Sequence, residues 1–148
     1  MKLQTNTLLA LYSVLEFASQ PGRQLSTADI AAKYAVSMHH LAKVLRALGR
    51  AGLLESARGV GGGYRFAGNP KRLALLDVIE LFEDISAHTG AQAEPGPATD
   101  VGRALGVVFV EIDEIAKATF RSITLDTMLK LIERQRRPQA AKERSRKT

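Results

Sequence analysis

The sequence predicts a mainly α fold with a small β-hairpin wing, a winged helix-turn-helix joined to a long dimerisation helix, on three observations. Ser37 is a good N-cap, and Leu41, Val44, Leu45 and Leu48 follow it at i, i+3, i+4 and i+7, one apolar packing face. Two strand-like runs, residues 53–57 and 64–67, are joined by the glycine-rich turn RGVGGG of residues 58–63, which reads as a hairpin. Farther on, Val101, Leu105, Val108, Ile112 and Ile115 alternate by four and three, the seam of a helix that pairs as coiled coils do.

The remaining elements follow in order. A first helix is expected over residues 5–19, with Leu8, Leu11, Tyr12 and Leu15 on one face and Pro21-Gly22 closing it. The second opens on a capping box, Ser26 to Asp29, and runs through Ile30, Ala31 and Tyr34 to a turn at Ala35-Val36. Leu75, Val78, Ile79 and Phe82 mark a fourth helix ending in Glu83 and Asp84. Residues 85–99, with Gly90, Pro95, Gly96 and Pro97, read as a loop of a length that is usually functional. Thr124 opens a short last helix with Leu125, Met128, Leu129 and Ile132. Residues 135–148 are nearly devoid of apolar side chains and are expected to be a basic disordered tail. The expected division is therefore 1–84 for the winged helix, 85–99 for an effector-type loop, 100–134 for dimerisation and 135–148 for the tail.

The chain has 148 residues, room for one core with an extension. It has no apolar run near membrane-spanning length and no signal-peptide pattern, so a soluble, cytoplasmic protein is expected. Its net charge of +6 is unevenly placed. Residues 1–75 carry ten Lys/Arg against three Asp/Glu, net +7; residues 76–134 carry five against eleven, net −6; residues 135–148 carry six against one, net +5. A basic first half points to a polyanion as partner, and the acidic middle to a different task.

The basic charge is ordered on the helix after Ser37. His39, Lys43, Arg46 and Arg50 recur at spacings of four, three and four, so the face opposite the apolar one carries groups that hydrogen-bond phosphates and base edges. The glycines at 59, 61, 62 and 63 let the hairpin tip lie close to another surface. A nucleotide-binding reading of that turn fails, since no GK[ST] follows and Tyr64 stands where a third glycine is needed. No nucleophile is paired with a base, and no acid and base cluster, so an enzyme is not expected.

Taken together, the start MKLQTNTLLAL, the segment SMHHLAKVLRALGRAGLLESARGVGGGYRF, the LLDVIELFE helix, the long helix and the late TLDTMLKL resemble the Rrf-two-type winged-helix transcriptional regulators, the IscR/NsrR/CymR-like family. The resemblance covers about residues 1–134. It implies a homodimer bound to double-stranded DNA at a pseudo-palindromic promoter site, with the second helix of the motif in the major groove and the wing at the adjacent minor groove. On that basis Ser37 is counted among the DNA-binding residues, and Met38, His39, His40 and Lys43 after it are assigned to base edges. Arg46 and Arg50 are assigned to phosphates. Ser26 and Thr27, at a helix start with free N–H groups, become phosphate anchors. Arg58 enters the minor groove, with Gly59, Gly61 and Gly62 forming the flat tip. Val101, Leu105, Val108, Ile112 and Ile115 form the dimer interface.

Many members of the family hold an iron–sulfur cluster with three cysteines before the long helix. This chain has no cysteine, so that cluster cannot be ligated and no cofactor is expected. The corresponding positions fall at or near His88, Glu94 and Asp100, which carry metal-capable atoms, but the expected reading is a solvated loop that has lost the cluster, with no metal site. The expectation is a homodimeric sequence-specific regulator, most simply a repressor, answering to a small-molecule or protein effector. The alternative is a winged-helix adaptor that binds a partner protein.

Overall fold

In the computed structural model, which describes residues 2–59, 62–86 and 99–146, the N-terminal half is built on three helices. They are α1 (Thr5–Ala18), α2 (Thr27–Tyr34) and α3 (Met38–Arg50). Each apolar stripe turns inward. Val14 and Phe17 of α1 and Leu41, Leu45 and Leu48 of α3 are fully enclosed, and Ile30 and Ala31 close the core from α2. Complete burial of such side chains supplies about 1.5–3 kcal/mol each, which makes this three-helix contact the main source of cohesion. Between α2 and α3 the chain turns through Ala35 at φ 52°, and the N–H of Val36 donates to Ala31 O at 3.0 Å. A left-handed alanine at this C-cap costs what a glycine would not.

The wing follows. Strands β1 (Leu54–Ser56) and β2 (Tyr64–Phe66) pair antiparallel in the register Leu54↔Phe66, Glu55↔Arg65, Ser56↔Tyr64. Leu25 joins them as a third, single-residue strand, exchanging both backbone bonds with Tyr64 at 2.9 and 3.0 Å. Tyr64 also meets Phe17 edge-on, with ring centroids 6.5 Å apart, so the wing is seated on α1.

Helix α4 (Leu75–Ile79) is shorter than the run to Glu83 predicted from sequence. Beyond Ile79 the chain tightens, with Leu81 and Phe82 donating to carbonyls three residues back. That tightening turns Glu83 toward the start of α1, where its Oε2 accepts the Gln4 N–H at 2.7 Å and the Thr7 hydroxyl. Ile85, expected to begin a loop, is buried in the core. Helix α5 (Asp100–Ser122) is capped by Thr99, whose Oγ1 accepts the Gly102 N–H at 3.0 Å. The chain then returns to the body. Ala74 and Thr124 form an antiparallel bridge, with Leu75 N–H on Ile123 O at 2.9 Å and Leu125 N–H on Leu73 O at 2.8 Å, and Leu125 is fully buried.

The last element corrects the sequence reading. In place of a short helix and a disordered tail over 135–148, α6 runs from Leu125 to Arg146. Its distal half lacks an apolar stripe but is built of strong helix formers, and Lys130–Asp126 and Arg137–Glu133 ion pairs at i,i+4 lead into it. It even carries Pro138 in its interior.

Candidate nucleic-acid interface

Helix α3 divides as its sequence requires. Ser37 caps it, Oγ accepting the His40 N–H at 3.3 Å, and Leu41, Val44, Leu45 and Leu48 are buried. Met38, His39, His40, Lys43, Arg46 and Arg50 all face solvent. Among the described residues none of Lys43, Arg46, Arg50 and Arg58 forms an ion pair. Their charge is therefore exposed and uncompensated, which is what draws in a polyanion.

The start of α2 lies alongside. Its capping box is formed on both sides, Asp29 N–H on Ser26 Oγ at 3.1 Å and Ser26 N–H on Asp29 Oδ2 at 3.0 Å. The Ser26 backbone N–H, and then its side chain, hold the Asp29 carboxyl below the ordinary carboxylate range. Ser26 is thus engaged with Asp29, and in this first turn the N–H groups of Thr27 and Ala28 are the ones left facing outward without an intrahelical partner. Asp29 itself adds a negative charge beside them.

Between the α2 start, Met38 and the wing runs an open groove of about 780 Å³, lined by Gln24, Ser26, Thr27, Ala28, Asp29, Met38, Gly62 and Gly63. The wing side is held by two contacts that sequence inspection missed. Gln24 Nε2 donates to Gly62 O, and Gly63, at φ +130°, lies so close to Leu25 that a Cβ there would stand 2.4 Å from the Leu25 carbonyl oxygen. The signal was present as a third consecutive glycine before Tyr64, but its cause is a close approach across the chain. Arg58 and Gly59 are exposed at the tip; Gly61 lies outside the described residues.

The predicted seam of α5 is exposed in the single chain. Val101, Leu105, Val108, Ile112 and Ile115 retain 48–70% of their accessible surface, and Val107, Phe109 and Val110 add to the patch. Only Asp113 of this 23-residue helix is buried. So much exposed apolar surface is unusual for an isolated domain and marks an interaction face.

Of the three metal-capable residues, His88 and Glu94 lie outside the described residues, and Asp100 is exposed and paired with Arg103. Among the described residues no group of three or more His, Cys, Asp or Glu is placed to hold a metal ion. Nor is any described helix long and apolar enough to cross a membrane.

A capped second helix with a basic outer face, flanked by a hairpin wing, defines a winged helix-turn-helix regulator. The comparisons with known proteins agree. Residues 3–131 match the family described as Rrf2, iron-dependent transcriptional regulator, and the chain belongs to that family. It is 55% identical over 139 residues to BadM of Rhodopseudomonas palustris, named as an HTH-type transcriptional regulator, covering 93% of this chain and 86% of that one. It is 33% identical over 101 residues to the HTH-type transcriptional regulator IscR of Cereibacter sphaeroides, covering 65% of each. Among solved structures, CymR of B. subtilis, described as its global cysteine regulator, superposes with a TM-score of 0.72 at 26% identity, covering 88% of this chain and 98% of that one. The protein is accordingly a transcriptional regulator and not an enzyme. With no cysteine, this chain has no thiolate with which to ligate an iron–sulfur cluster.

Proposed function

We propose that the protein is a homodimeric, sequence-specific repressor that occludes a pseudo-palindromic promoter site without a cysteine-ligated cluster. The observation that carries this reading is the row of exposed, unpaired cations on α3, the helix whose first residue, Met38, lines the groove beside the wing. In it, Met38, His39, His40 and Lys43 meet base edges, Arg46 and Arg50 meet phosphates, and Arg58 enters the minor groove. Thr27 and Ala28, more than Ser26, offer backbone N–H groups to a phosphate. Two α5 helices paired along Val101, Leu105, Val108, Ile112 and Ile115 set the spacing of the two reading heads, and DNA half-site symmetry follows from the two-fold of the dimer.

The experiment is selection of bound duplexes from a random pool with the purified protein, with its mass in solution measured on the same sample. A palindromic consensus bound by a dimer, and a block of transcription in vitro when that site overlaps a promoter, are the expected results. A folded dimer that enriches no sequence overturns the reading.

A further inference from the structure

We propose that the distal half of α6 is a helical arm that lies along the DNA phosphate backbone outside the base pairs read by α3 and the wing. The proposal rests on the DNA-binding reading above and extends it to a second contact surface. Every residue from 133 to 146 is exposed, so this part of the helix contributes nothing to the core. Yet residues 135–148 concentrate six Lys/Arg against one acidic residue, a net +5 in a chain whose total is +6.

Helix α6 packs against α1, a helix of the winged-helix body, before its distal half runs free of the core. Glu16 of α1 pairs with Lys33 Nζ of α2 at 2.7 Å and accepts the Tyr34 hydroxyl, and Arg136 is near enough for its charge to act on both Glu16 and Tyr34. Arg136, at the root of the arm, thus lies within electrostatic reach of the last turns of α1 and α2. Helix α2 has eight residues, about 12 Å, and its other end lines the groove. From Arg136 to Arg146 the arm extends about 15 Å more at the ordinary helical rise. That length spans several phosphates of a duplex, which carries a charge about every 1.7 Å along its axis.

Charge alone would suit an anionic lipid surface too, but a helix that lies on lipid buries an apolar face. Between 133 and 146 the apolar side chains are Pro138, Ala140 and Ala141. Such a helix has cations for phosphates and nothing to insert.

The test uses the full chain and the duplex enriched in the selection, prepared with no flanks and with ten further base pairs on each side. Binding is followed by fluorescence anisotropy over a series of salt concentrations, for the wild type and for the variant R137Q/K142Q/R144Q/R146Q, whose substitutions are exposed and keep good helix formers. The wild type is expected to bind the longer duplex about 10-fold more tightly, with a steeper salt dependence. The variant is expected to lose that gain, to show a slope lower by up to about 3.6 per half-site at about 0.9 for each of four phosphate contacts, and to keep the same base preference. Wild-type binding that ignores the flanks, with equal slopes for both proteins, overturns the arm and leaves the regulator reading intact. So does a variant that binds DNA normally but no longer binds phosphatidylserine vesicles, which assigns the arm to lipid. If the wild type binds no duplex, the regulator reading falls and the arm with it.

Discussion

Glu83 holds the start of a helix that lies 79 residues before it, its Oε2 accepting the backbone N–H of Gln4 at 2.7 Å. The same carboxylate accepts the hydroxyl of Thr7, a residue fully shielded from solvent. Helix α1 has no side-chain cap from Gln4, so Glu83 supplies from a distance what a local Ser or Asp would supply. Glu83→Ala leaves the buried Thr7 hydroxyl without its acceptor and uncaps α1. A loss of about 1–3 kcal/mol in urea unfolding is expected. An unchanged midpoint would show that the cap contributes nothing.

The Glu16 carboxyl is subject to two opposed influences. Burial raises its pKa, but the bonds from Lys33 and Tyr34 and the positive charge nearby outweigh this and hold it below 4.5. A group with a depressed native value stabilises the fold above its unfolded value and loses that contribution as pH falls. Stability should therefore decline as pH drops below about 4.5, and Glu16→Gln should flatten that limb of the curve. The Tyr34 hydroxyl is pushed up by burial and by Glu16, so its contribution is complete below pH 10 and is lost above it. Chemical denaturation across pH 3–11 reads both limbs.

Gly63 and Ala35 should respond in opposite directions. Gly63→Ala places a Cβ against the Leu25 carbonyl at a positive φ, and the wing must move. DNA affinity should fall at least 10-fold while the helices remain folded by circular dichroism. Ala35→Gly relieves a left-handed alanine at an exposed position and should raise stability by about 0.5–1 kcal/mol in thermal melts.

On DNA, Lys43→Gln should relax base preference at one position of each half-site and weaken binding by about 1–3 kcal/mol. Arg46→Gln should weaken all sequences alike and lower the salt slope by about 0.9 per half-site. Repeating the pool selection with each variant distinguishes the two roles. An altered consensus from Arg46→Gln would reverse the assignment.

Ile112 is 55% exposed in the single chain, so Ile112→Glu has no reason to unfold it. Sedimentation should show monomers with unchanged helical content, and half-site affinity without cooperativity. A variant that stays dimeric would remove the α5 seam from the interface.

What was legible in the sequence was what is decided locally. The cap at Ser37, the four leucine and valine positions of α3, the capping box at Ser26 and the hairpin all depend on neighbours within seven residues or a short turn. The 3.5-residue seam of α5 was legible for the same reason. What escaped depends on partners far along the chain: the single-residue strand at Leu25, the Gly63 approach, and the Glu83 cap. The tail was misread for another reason. Residues 135–146 carry no apolar periodicity, and Pro138 argues against a helix interior, yet the arginines, alanines and glutamines around it favour one.

The bridge between Ala74 and Thr124 has a consequence for how such a protein can change over time. Two positions fifty residues apart in the chain are clasped side by side, and the chain between them first lays α4 and Ile85 into the core, then carries α5, and comes back to the same point. The excursion that bears α5 can lengthen, shorten or exchange its side chains while the clasp keeps the rest in register. A lineage can thus rewrite the exposed face of α5 without disturbing the winged-helix body to which the clasp is tied.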